Sequence, residues 1–120
     1  MDICRDVGFV HLHVHSSYSL REGALGIARL AKLAVADEQP ALAITDHGVM
    51  YGAVQFYDAC MKHGVKPLIG CEVYVAPRSR FDRDPRLDKD QYHLVLLARS
   101  EKGYRNLIKL ASLAFLEGYY

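Results

Sequence analysis

Short apolar runs alternate with stretches of helical spacing along almost the whole chain, and that alternation restricts the fold more than any other feature. A run of five or six apolar residues is long enough only for a strand. Strands separated by helix-length segments build a sheet with helical crossovers. Phe9 to Val14 reads as the first strand, with Phe9, His11, His13 and His15 on one face and Val10, Leu12 and Val14 on the other. From Ala24 to about Ala36, Ile27, Leu30, Ala31 and Ala34 recur at helical spacing, and Pro40 closes that unit. Ala41 to Thr45 predicts a short buried strand. Met50 to His63 returns to helical spacing through Ala53, Val54, Tyr57 and Met61, with Gly64 at the C-cap. Leu68 to Ala76 and Tyr92 to Ala98 predict two further strands. Ser100 can cap a last helix whose stripe is Tyr104, Leu107, Ile108, Ala111, Ala114 and Phe115. The expected fold class is therefore α/β, a parallel sheet of about four βα-type units.

At 120 residues the chain has the length of one domain. Closed (β/α) barrels take roughly 250 residues, so four units predict an open, incomplete barrel. Residues 1–8 read as an N-terminal segment and 9–120 as the partial domain. Between the third and fourth strands, residues 78–90 carry nine charges, five basic and four acidic, which predicts a solvated loop. Its arginines could instead face substrate phosphates.

Composition removes several function classes. With 51% hydrophobic and 24% charged residues the chain can bury a core, which argues against disorder. A formal charge of +1 does not support a general electrostatic grip on nucleic acid, although a local basic patch would be compatible with it. No apolar run approaches the roughly 18 residues that span a bilayer, so no membrane association is expected. The start, Met1 to Asp6, is too polar to open a secretory signal. Cys4, Cys60 and Cys71 are scattered, with no CxxC pair, and read as reduced thiols of a cytoplasmic protein.

The chemistry sits at the expected strand ends. His11, His13 and His15 share one face of the first strand, and two imidazoles on one strand can share a metal. His11 can equally be a hydrogen-bonded residue deeper in the core. Thr45-Asp46-His47-Gly48 follows the second strand, where α/β folds place catalytic groups. His47 can ligate metal, and Asp46 can ligate, orient an imidazole or cap the next helix; these two are the catalytic candidates. Glu72 lies in an otherwise apolar strand and must be paired or metal-bound. Glu22, in the turn after the first strand, and His93, at the start of the fourth, complete the candidate ligands. Cys71 has opposite parity to Glu72 and reads as packing, and neither Cys60 nor Cys4 has the neighbours of a nucleophile.

In this order, the motifs resemble the polymerase and histidinol phosphatase (PHP) superfamily. The segments Phe9–Leu20, Pro40–Gly48, Lys66–Pro77, Tyr92–Ala98 and Gly103–Leu110 are similar to the opening of the bacterial replicative DNA polymerase III alpha subunits. The resemblance implies the N-terminal part of a distorted (β/α)7 PHP barrel with a multinuclear metal site at its mouth. It carries ligand roles to His13, His15, His47, Glu72 and His93. Glu22 stands where the family has aspartate or histidine, and His11 where many members have aspartate. Zinc is the expected metal, with manganese or iron as alternatives, and magnesium would belong to a polymerase palm domain outside this sequence. The implied function is DNA-templated synthesis in the parent, a DNA-directed DNA polymerase, with a metal-dependent 3′–5′ exonuclease in the PHP part; the fragment alone is expected to be inactive. Implied partners are DNA, deoxynucleotides, a proofreading exonuclease subunit and the sliding clamp. The alternatives are a non-catalytic PHP domain that docks the proofreading subunit, and a stand-alone PHP phosphatase.

Overall fold

Residues 8–18 and 26–118 are described by the structure, a computed structural model. Elements follow in the order α1 (Ile27–Ala36), β1 (Ala41–Ile44), α2 (Ala53–His63), β2 (Lys66–Val75), β3 (Tyr92–Leu97) and α3 (Glu101–Leu113), with a π-helical turn over Ala114–Gly118. The sheet order is β1-β2-β3.

The N-terminal segment does not form the regular strand expected over Phe9 to Val14. It still runs along β1, in the same direction. Ala43 N–H donates to the His11 carbonyl at 3.1 Å and Thr45 N–H to the Val14 carbonyl at 2.8 Å. Val14 N–H, however, is taken by the Thr45 hydroxyl at 3.0 Å, so a side chain interrupts the backbone ladder.

β1 and β2 pair in parallel, Ala41 with Lys66 through Ile44 with Ile69. β2 and β3 pair antiparallel, Gly70 with Leu97 through Val75 with Tyr92, which corrects the expectation of an all-parallel sheet. The cause lies in the connection. A parallel return needs a crossover, usually a helix, and none occurs between residues 76 and 91. The charged loop there is also not simply solvated. Arg78 grips Asp88 with two bonds of 2.8 and 2.5 Å, and Asp84 N–H donates to the same carboxylate at 2.7 Å. Arg80 bonds the Glu117 carboxylate at 2.7 Å, tying the loop to the π-helical turn after α3. The Arg78 guanidinium holds the Asp88 carboxyl below the usual carboxylate range.

The core lies between α1, α2 and the sheet. Ile27, Leu30, Ala31 and Ala34 of α1 meet Phe56 and Cys60 of α2 over Leu42 and Ile44. Phe56 is fully buried, which contributes roughly 1.5–3 kcal/mol. The buried face of α2 is Ala53, Phe56 and Cys60. Val54, Tyr57 and Met61, expected in that stripe, are exposed instead. Both faces of α2 are apolar, and only one can turn toward α1. Ser100 caps α3 as expected, its hydroxyl accepting from Gly103 N–H at 3.2 Å. Of the α3 stripe, Leu107 alone is fully buried.

β2 changes partners at Gly70, pairing with β1 before it and β3 from it onward. A Cβ at Gly70 would run into the Leu96 carbonyl oxygen and crowd Leu97 and Thr45. The strand therefore passes between its neighbours only because this residue has no side chain.

Candidate metal centre

Beyond Gly70, β2 carries Glu72 to the carboxyl end of β1. Glu72 N–H donates to the Asp46 carbonyl at 3.0 Å, and Gly48 N–H to the Glu72 carbonyl at 2.8 Å. This isolated bridge fixes the turn that presents His47 beside Glu72. Across the antiparallel ladder, His93 stands opposite Tyr74, two residues from Glu72 and on the same face. His13 and His15 come from the segment on the other side of β1.

Glu72 is the centre of this group and is only 5% exposed. Its Oε2 lies 3.1 Å from His13 Nε2 and also contacts His15 Nε2, while Oε1 lies 3.3 Å from His93 Nδ1. His47 Nε2 is 3.1 Å from His93 Nδ1. The rings of His15 and His47 stack, with centroids 5.4 Å apart. Two sets of ligand atoms result, His13–His15–Glu72 and His47–Glu72–His93, each with its atoms within 4.8 Å of one another. Glu72 belongs to both. Burial pushes its carboxyl up, but hydrogen bonds from His13, His15 and His93 outweigh this and bring it down to about 2. The site is graded in depth. His15 and Glu72 form the floor, and His13 and His93 stand at the rim, 56% and 47% exposed.

The donor set fits a divalent cation. Imidazole nitrogens with a buried carboxylate suit zinc, and also manganese or iron. Five of the six residues expected as ligands are brought together; Glu22 lies outside the described residues.

Asp46 has a different place. It is 1% exposed, and its carboxylate accepts from Ser16 N–H at 2.5 Å and from the Ser16 hydroxyl at 2.6 Å. It clamps the backbone next to His15. His11 is exposed rather than deep in the core, its N–H bonded to Gln39 and its ring edge-on to Phe9. Cys60 and Cys71 are buried, and burial first of all pushes both thiols up to about 11, which leaves them protonated near neutral pH.

Two participants escaped the sequence reading. Ser16 follows the histidine run without any motif of its own. Tyr74 did carry a signal, because it shares strand parity with Glu72.

The PHP domain family model matches residues 11–120. The chain is 53% identical over 115 residues to the DNA polymerase III subunit alpha of Treponema pallidum, covering 95% of this chain and 10% of that protein. With the subunit alpha of Thermus aquaticus it shares 51% identity over 116 residues, covering 93% and 10%. The chain thus spans about a tenth of the length of these relatives. Among solved structures, an amidohydrolase from Chromobacterium violaceum aligns with a TM-score of 0.60 at 24% identity, over 88% of this chain and 34% of that one. A protein from Bifidobacterium adolescentis described as a metal-dependent phosphoesterase aligns at 0.57 and 17% identity, over 83% and 32%. Both likenesses concern the fold. Among the described residues, no helix is long and apolar enough to cross a membrane.

Proposed function

Since the chain belongs to the PHP domain family, we propose that it is the PHP part of a bacterial DNA polymerase III alpha subunit and that its metal centre hydrolyses phosphodiesters at DNA 3′ ends. The observation that carries this reading is Glu72, a buried carboxylate shared by two sets of histidine ligands. Such a set of imidazoles around one carboxylate suits divalent ions. His13, His15, His47, Glu72 and His93 would hold the ions, with zinc first among the candidates. When bound, divalent ions there supply Lewis acidity and a nucleophilic water near neutral pH.

The chain's own residues do the rest. His15 and Glu72 form the floor, and the exposed rim at His13 and His93 leaves room for a phosphate to approach from solvent. Asp46 is a positioning residue that holds Ser16, and through it His15, in place. The partners proposed on this basis are DNA and the other subunits of a replicative polymerase, in the cytoplasm.

The test is the double substitution His13→Ala plus His47→Ala in the whole subunit. Metal content and 3′-exonuclease activity should fall to background together, while primer extension survives. Unchanged exonuclease activity in the metal-free variant would overturn the catalytic reading. A joint loss of metal, melting temperature and primer extension would assign the metal a structural role instead.

A further inference from the structure

Tyr74 stands beside the candidate ligands without being one of them. It lies two residues beyond Glu72 on β2, hence on the same face, and its register partner across the antiparallel ladder is His93. Its ring packs against two of the candidate ligands, 4.6 Å from the His47 ring and edge-on to His93 at 4.9 Å. Its hydroxyl lies 3.3 Å from His47 Nδ1. The other nitrogen of the same imidazole, Nε2, faces His93 and the Glu72 cluster.

We propose that Tyr74 is a positioning residue that sets the tautomer and ring orientation of His47. A neutral imidazole carries its proton on one nitrogen only. With the proton on Nδ1, His47 donates to the phenolic oxygen of Tyr74, and the Nε2 lone pair points into the cluster. The opposite tautomer would aim an N–H at the cluster and block that position. His47 Nε2 lies 3.1 Å from His93 Nδ1, which is itself 3.3 Å from Glu72 Oε1. Partners that hold the far nitrogen of a ligating histidine commonly change metal affinity by about 10–100-fold. The inference rests on the metal-site reading only for its effect on affinity; the tautomer stands by itself.

The experiment compares the wild-type chain with Tyr74→Phe, which keeps the ring and removes only the hydroxyl, and with Tyr74→Leu, which removes both. Histidine 15N spectra of the metal-free chain, with His47 assigned through His47→Gln, should show the Nδ1–H tautomer in the wild type. Tyr74→Phe should shift His47 toward the Nε2–H form, leave His13 and His15 unchanged and keep the melting temperature. Zinc affinity, read by competition with a coloured chelator, should fall about tenfold in Tyr74→Phe and further in Tyr74→Leu. An unchanged His47 tautomer in Tyr74→Phe would overturn the proposal. So would an affinity loss that appears only together with a lower melting temperature. If the wild type binds no zinc or manganese, the metal reading fails, and the tautomer comparison still decides the role of Tyr74.

Discussion

Glu38 is held in the left-handed region, at φ 56°, just past the end of α1. Glu38 N–H donates to the Val35 carbonyl and Gln39 N–H to the Ala34 carbonyl, the paired bonds of a Schellman stop. α2 ends the same way, with Val65 N–H on the Cys60 carbonyl, but there Gly64 occupies the left-handed position at φ 74°. The two stops differ in one residue type, and only glycine adopts this conformation without a Cβ penalty. Glu38→Gly should therefore stabilise the chain by about 1 kcal/mol, read as a higher denaturant midpoint with an unchanged slope. A loss of stability would show that the Glu38 side chain has a role that the backbone bonds do not reveal. The same pair of stops explains what could be read from sequence. Gly64 announces its helix end, whereas Glu38 gives no sign, because the backbone imposes the conformation on an ordinary residue.

At the level of elements, β2 organises the site by changing partners at Gly70. The missing side chain lets β1 and β3 approach from opposite sides, which brings His47 and His93 to either side of Glu72. Gly70→Ala would press a methyl group onto the Leu96 carbonyl, which is backbone and cannot turn away. The expected cost is about 1–3 kcal/mol, with a measurable loss of metal affinity because the β2–β3 register carries His93. Circular dichroism melts and chelator competition on the same preparation check both parts; a neutral alanine would show that the strands have slack there. The helices and the three strands were legible from periodicity and caps. The direction of β3 was not, because that depends on what the 78–90 segment does. Its fold comes from the pairing of Arg78 with Asp88, a contact between residues of a charged run that local pattern cannot distinguish from solvated side chains. Likewise α2 is apolar on two faces, and the sequence could not say which one α1 would cover. At the site, the ligand candidates were legible as residue types in a buried or strand-end context. Ser16 was not, because its role depends on a turn, and for Tyr74 parity with Glu72 gave the face but not the register that sets it opposite His93.

At the scale of the whole molecule, Val54, Tyr57 and Met61 of α2, with Ile108, Leu110 and Phe115 near the end, expose apolar surface. The five side chains of the candidate metal centre all come from residues 13–93. They arrive from four separate segments and meet at one carboxylate. Glu72 should therefore matter to both sets of ligands, while His13 and His93 each matter to one. The most direct measurement is zinc binding by the wild-type chain and by Glu72→Gln, His13→Ala and His93→Ala, with secondary structure followed in parallel. Glu72→Gln should keep the fold and weaken binding by more than about 100-fold, beyond either histidine substitution. A Glu72→Gln chain that keeps wild-type zinc content, or that loses no more than His13→Ala does, would contradict a metal centre built on a shared glutamate.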